Sequence, residues 1–164
     1  MIDLRELLAS TVATLDELGA QDEALAVIRE PRGFSVFKSR SAMVPVGRAW
    51  RLGVLLLNRE LQLFETGEVT RAIEPLIAVT NRSQAAEDRR EFRRMAARGP
   101  FPAGETINHG WHELPLDIES LRVGSGPLSI DGDTIRVRVG SAPGQGTAPL
   151  DRYLADRASL FGLD

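Results

Sequence analysis

Ser35 and Lys38 have the S-x-x-K spacing, in which a lysine can take the proton of a serine that attacks an acyl group. That chemistry requires the two residues to lie one turn apart on a helix. The surrounding run Phe34–Phe37 is typical of a strand, where positions i and i+3 point to opposite faces. The K-T-G and S-D-N triplets of penicillin-recognising enzymes are also missing. Ser35 and Lys38 are therefore candidate catalytic residues, with an ordinary strand as the favoured alternative.

Both histidines of the chain lie in one short stretch that also contains a tryptophan and two carboxylates: His109, Trp111, His112, Glu113, Asp117. Two imidazoles and a carboxylate can hold a divalent metal, and a histidine can act as general base near neutral pH. On a strand, however, H-x-x-H sends the imidazoles to opposite faces, and the helical H-E-x-x-H order is absent. We take His109 and His112 as candidate bases, with satisfied histidines beside a packed tryptophan as the alternative. No metal site is predicted.

Five arginines fall on segments with strand-like patterns. If several of them share one concave face, they can bind a carboxylate or a phosphate. The alternative is that each is solvated on an outward strand face. The candidate ligand-binding residues are Arg48, Arg51, Arg71, Arg136 and Arg138.

A predicted helix near the middle of the chain is basic. Residues 82–98 contain six arginines and three acidic residues, which gives this segment a charge of +3. Because the net charge of the whole chain is −3, the remaining residues together carry −6. A stripe at i+4 spacing can meet a phosphate or RNA: Arg90, Arg94, Arg98. Glu87 and Glu91 precede two of these arginines by three residues, a spacing typical of ion pairs on solvated helices. We interpret the helix as solvated, and nucleic-acid binding is not favoured.

The elements that position these residues follow from hydrophobic spacing. Leu4–Leu18 has helical periodicity between a candidate N-cap, Asp3, and a candidate stop, Gly19. A shorter helical turn is predicted over Asp22–Arg29. Strands are then predicted as an antiparallel meander with its second member central: Phe34–Phe37, Trp50–Leu57, Leu61–Phe64, Val69–Ile73.

The second half of the chain repeats this mixture. A helix is predicted over Ser83–Arg98, ended by Gly99, followed by a strand around Thr106–Trp111. A hairpin is predicted around Asp131-Gly132, from Leu128–Ile130 to Thr134–Val139, before a loop (140–147) and a last amphipathic helix that begins near Pro149. The order predicts an α+β fold, one mostly antiparallel sheet of about five to seven strands with helices packed on it, including N- and C-terminal helices.

Composition narrows the function classes. The chain has 164 residues, enough for the single globular domain that we predict over 1–164. Without cysteine, it has no disulfides, thiol nucleophiles or thiolate metal sites. The longest strongly apolar run, Leu52–Leu57, is far shorter than the roughly 18–20 residues of a membrane span, and the first turn carries charges that do not fit a secretory signal. We therefore predict a cytoplasmic protein with no membrane partner.

Three runs carry a resemblance to a known group: GRAWRLGVLL (47–56), TGEVTR (66–71) and SGPL (125–128). In them the chain resembles small uncharacterised proteins of high-GC bacteria, some of which are labelled glutaminase. The shared runs are turns, strands and a glycine-bearing hairpin. The label implies amide hydrolysis, for which Ser35 and Lys38 are the only residues that a serine-dependent glutaminase would share.

Together these observations favour a non-catalytic binding or interaction domain whose partner is an anionic small molecule or another protein. The alternative is a glutaminase-like amide hydrolase that uses Ser35 and Lys38, or a site at His109 and His112. No cofactor is predicted. Leucine-rich helix faces leave homo-oligomer formation open.

Overall fold

The computed structural model describes residues 3–30, 41–76, 83–140, 142 and 145–163. These ranges contain four helices, a short 3-10 turn and ten strands. The helices are α1 (Leu4–Glu17), α2 (Gln84–Arg98), α3 (Ile118–Val123) and α4 (Leu150–Ser159), and the 3-10 turn is Leu160–Gly162. The strands are β1 (Glu23–Arg29), β2 (Ala42–Leu52), β3 (Leu55–Leu57), β4 (Leu63–Glu65), β5 (Glu68–Arg71), β6 (Thr106–His109), β7 (His112–Glu113), β8 (Leu128–Asp131), β9 (Thr134–Arg138) and β10 (Thr147–Pro149).

Two sheets contain these strands. The larger has seven strands in the order β5-β6-β1-β2-β3-β4-β7, and the smaller has three in the order β10-β9-β8. Strands β1 and β6 run parallel, whereas the pairs β5/β6, β2/β3, β3/β4 and β4/β7 run antiparallel. With helices near both chain ends, this arrangement confirms the predicted α+β class and the mostly antiparallel sheet.

The fold consists of two compact units, and strand β2 passes from one to the other. Unit 1 comprises residues 1–22, 49–66 and 112–164, and unit 2 comprises residues 23–48 and 67–111. The single domain expected over 1–164 stays a prediction. None of the helices in the described ranges is long and apolar enough to cross a bilayer.

Unit 1 has a leucine-rich core beneath α1. The helix begins at Asp3, whose carboxylate accepts hydrogen bonds from two backbone N–H groups of the first turn. Leu8 and Leu15 pack in one buried cluster with Leu55 and Leu57 of β3. Every residue of β3 is buried, because β2 and β4 flank it in the sheet. The prediction of a central strand is thus confirmed.

A buried tyrosine fixes the turn between β2 and β3. The Tyr153 hydroxyl accepts a hydrogen bond from the N–H of Val54 (2.8 Å) and donates one to the carbonyl of Leu52 (2.9 Å). Between them Gly53 has φ +66°, a conformation that glycine adopts without strain. The single strand predicted over Trp50–Leu57 is therefore wrong: the chain reverses at Gly53 and forms two strands.

Unit 2 has a smaller core built from short side chains. Its buried members are Ala24, Ala26, Met43, Ala72, Ala96 and Ile107, against which Phe92, Met95 and Phe101 pack. Helix α2 begins at Ser83, whose hydroxyl accepts from the N–H of Ala86 (3.3 Å), and ends at Gly99, as predicted. This helix packs next to β5.

Three sequence predictions are corrected by the strand pairing. Asp22–Arg29 was expected to be helical, yet residues 23–29 form β1 between β6 and β2. The meander ends at β4, because β4 pairs with β7 whereas β5 pairs with β6. The loop expected over 140–147 ends in β10, which pairs with β9. The hairpin at Asp131-Gly132 and the C-terminal helix are confirmed, and Phe34–Phe37 lies outside the described residues.

Candidate functional site

The two predicted catalytic pairs have different outcomes. Ser35 and Lys38 lie outside the described residues. His109 ends β6 in unit 2, whereas His112 begins β7 in unit 1 and is exposed. Of the predicted histidine cluster, His109 therefore carries the candidate site, together with Trp111 of the same unit.

His109 is buried by its neighbours in the sheet and by α2. Only 3% of His109 is exposed, and it pairs in register with Glu68 of β5. The ring of Phe92, from α2, lies 4.4 Å from the imidazole between centroids, tilted by 46°. The Nε2 atom of His109 is buried and has no hydrogen-bond partner among the described residues. Buried polar atoms normally have one, so this nitrogen requires an explanation.

His109 lines a cavity of about 620 Å³, which we call the aromatic cavity. One wall is the end of β1 at residues 26–28, and the others are Gly67, Glu68, Phe92, and the turn 109–111. Trp111 is fixed in that turn because its indole N–H donates to the carbonyl of Ala26 at 3.0 Å. The aromatic cavity thus presents three rings and one carboxylate, while the Nε2 atom of His109 is too deeply buried to face a ligand.

A second cavity of about 200 Å³, the arginine cavity, lies between β5 and α2 in the same unit. Arg71 reaches it from β5, and Arg89 and Arg93 reach it from successive turns of α2. Glu68 and Phe92 line both cavities, so the two share a wall. Within the described part of the chain, the guanidinium groups of these three arginines make no hydrogen bond or ion pair.

The remaining arginines of α2 are occupied. Glu91 pairs with Arg94 at 3.1 Å and with Arg98 at 3.5 Å, and Arg98 also donates to the carbonyl of Ser41. Arg90 is only 6% exposed and donates to the carbonyl of Leu76. The i+3 ion pair predicted for Glu91 is confirmed. The prediction that the arginine stripe is solvated is wrong at Arg90, because this side chain is buried and binds a backbone carbonyl.

The strand arginines divide between the units. In unit 2, Arg71 lines the arginine cavity, while Arg48 of β2 pairs with Glu105 at 2.8 Å. In unit 1, Arg136 of β9 donates to the hydroxyl and the carbonyl of Thr147, which fastens β10. Arg51 is half-buried on β2, and Arg138 is exposed on β9. The expectation that strand arginines line an anion site is carried by Arg71, and its partners there come from α2.

Unit 1 contains a cavity of opposite charge. It has a volume of about 510 Å³ and is lined by Glu65, Glu113 and Glu119, with Leu114 and Val123 as its apolar members. Glu113 accepts a hydrogen bond from the amide of Gln62 at 2.7 Å. In the described ranges, no three histidine or acidic side chains converge in a way that could hold a metal ion. Three carboxylates around this cavity would repel an anionic ligand.

His109 predicts a pH dependence of stability. Burial lowers its pKa, and the charge of Glu68 opposes that shift in part. As the pH falls through about 6.5, the imidazole of His109 takes up a proton in the unfolded chain, whereas in the folded chain it stays neutral to a lower pH. This histidine therefore destabilises the folded protein as the pH falls below about 6.5. Above that pH the imidazole is neutral in both states and contributes no slope.

We expect His109→Phe to reduce the loss of stability between pH 7.5 and pH 5 by up to about 1.4 kcal/mol per pH unit. Urea unfolding at both pH values, monitored by circular dichroism, measures the difference from the unsubstituted protein. His112→Phe is the matched control, because His112 is exposed. An equal pH slope in His109→Phe and the unsubstituted protein contradicts the expected role of His109.

Comparison of the chain with protein families, with curated proteins and with solved structures finds no match. The resemblance to proteins labelled glutaminase therefore stays a prediction.

Proposed function

We propose that the protein is a non-catalytic binding domain for a small anionic ligand, a carboxylate or a phosphate, which binds in the arginine cavity of unit 2. One observation carries the proposal. Arg71, Arg89 and Arg93 line one cavity, and their guanidinium groups have no hydrogen-bond or ion-pair partner in the described part of the chain.

Three guanidinium groups around one small cavity repel each other, since Glu68 alone offsets their charge and leaves a net +2 from these four side chains. An anion bound among them removes that repulsion. A guanidinium presents parallel N–H donors that fit the two oxygens of a carboxylate or phosphate. A volume of about 200 Å³ suits such a head group and little more.

The helix that supplies two of the arginines is well suited to hold them. Arg89 and Arg93 are four residues apart and lie on one face of α2, and Phe92 beside them is partly buried against the core of unit 2. The Ser83 cap and the ion pairs of Glu91 stabilise the helix without using Arg89 or Arg93. The proposed anion site therefore lies on a helix and a strand. Such elements hold side chains in position more precisely than loops do, which favours binding.

The alternative proposal is amide hydrolysis at Ser35 and Lys38. Both residues lie outside the described ranges, and no observation within those ranges favours the reaction. His109 is a poor general base for it, because its buried ring has a lowered pKa and lies among apolar side chains.

Arg89→Gln and Arg93→Gln should each weaken binding of inorganic phosphate about tenfold, equivalent to about 1.4 kcal/mol. Isothermal titration calorimetry at low salt measures the affinity, which should also fall as the salt concentration rises. Arg122→Gln is the control: it removes the same charge from an exposed position on α3 in unit 1. Equal affinity in the three variants contradicts the proposal, as does failure of the unsubstituted protein to bind phosphate or acetate.

A further inference from the structure

We infer that the anionic ligand carries an aromatic body, and that this body binds in the aromatic cavity next to the arginine cavity. The inference rests on the proposed anion site and names the class of compound that fills it. Its basis is that the two cavities of unit 2 are neighbours, because Glu68 and Phe92 line both. A head group bound to the arginines therefore lies next to the larger cavity.

The aromatic cavity has the size and lining of a small-molecule site. Its volume of about 620 Å³ lies within the range of about 300–1,000 Å³ found for ligand pockets. Phe92, His109 and Trp111 present rings to it, and side chains of β1 complete an apolar wall. Rings favour tilted or offset contacts with other rings, such as the 46° tilt between Phe92 and His109, over contacts with a flexible alkyl chain.

The cavity is also held open by fixed groups. The Trp111 indole donates to the carbonyl of Ala26, so this ring cannot turn inward without breaking that bond. At Gly110 a side chain would meet open space, and none is present to fill it. The rigid ring and the absent side chain leave room beside His109 for a planar group.

Three phosphates test the inference by isothermal titration calorimetry: inorganic phosphate, butyl phosphate and phenyl phosphate. We expect phenyl phosphate to bind at least about tenfold more tightly than inorganic or butyl phosphate, because its ring buries apolar surface against the three rings. Equal affinity for butyl and phenyl phosphate overturns the inference.

Nuclear magnetic resonance locates the ring independently. The chain has two histidines, so the imidazole signals of His109 and His112 can be assigned and followed separately. Phenyl phosphate should shift the His109 ring protons through its ring current and leave those of His112 unchanged, while inorganic phosphate should leave both nearly unchanged. Unshifted His109 signals at saturating phenyl phosphate overturn the inference.

A cavity-filling variant separates this inference from the proposed function. Val27→Phe places a ring in the aromatic cavity, so phenyl phosphate affinity should fall to the level of inorganic phosphate, whose own affinity stays unchanged. Ile73→Phe is the control, at an exposed position of unit 2. If arginine-dependent phosphate binding is present but Val27→Phe does not affect phenyl phosphate, the inference alone is wrong. If phosphate does not bind through the arginines, the proposed function itself is wrong.

Discussion

Trp50→Ala should lower the free energy of unfolding by about 3–5 kcal/mol, because it removes the largest fully buried side chain of the protein's core. The ring has no exposed surface, and its indole N–H donates to the carbonyl of Ala20 at 3.0 Å. The guanidinium of Arg59 stacks 4.3 Å from the ring centroid and is held there by Asp16 and Asp22. Alanine would leave a cavity, an unpaired carbonyl and an arginine without its stacking partner.

Urea unfolding monitored by far-ultraviolet circular dichroism measures this loss. Trp50→Phe is the informative control: it keeps a ring in the core and removes the indole hydrogen bond, so it should cost less than the alanine substitution. A loss of less than about 1 kcal/mol for Trp50→Ala would mean that the site relaxes to fill the space, and would contradict the tight packing of Trp50.

Gly67→Ala should lower the free energy of unfolding by about 2–3 kcal/mol and weaken ligand binding in unit 2. A β-carbon at Gly67 would collide with the backbone of Gly110 and the carbonyl of His109. Both colliding groups are backbone, so no side chain can rotate away. The strand–turn segment 109–111 must then shift, and that segment supplies the floor of the aromatic cavity.

Gly146→Ala is the matched control for Gly67→Ala, because a β-carbon there meets open space. Its stability should change by less than about 1 kcal/mol, with a gain favoured by the reduced entropy of the unfolded chain. Urea unfolding and phenyl phosphate calorimetry measure the two effects. If Gly67→Ala is as stable as Gly146→Ala, the close approach of the two backbone segments is not a constraint on the fold.

Local chemistry was enough to predict the elements with strong end signals. Asp3 and Ser83 cap their helices through side-chain hydrogen bonds, and Gly132 has the positive φ that its hairpin turn requires. Strand β1 was predicted as a helix because Glu, Ala and Leu favour helices locally. Pairing with β6 and β2 overrides that preference. The spacing of residues within β1 does not reveal these partner strands.

The site was predictable only in part, for the same reason. His109 was identified by its residue type, but it was grouped with His112, which the fold assigns to the other unit. Arg71 is a candidate from the sequence, whereas Arg89 and Arg93 belong to a helix that the sequence indicates to be solvated, and both are exposed. The sequence does not single them out, because only the packing of α2 on β5 brings them to the cavity that Arg71 lines.

Both units are assembled from separate stretches of chain, unit 1 from three and unit 2 from two. Within unit 2, Asn108 of β6 bonds to Ala24 of β1 across a separation of 84 residues, and the parallel pairing of these strands closes the same long loop. Pairings of this kind slow folding, since the entropy of loop closure is lost before the contacts form. No single cut in the chain releases either unit intact, so unit 2 can be isolated only by joining residues 23–48 to residues 67–111 without the segment between them.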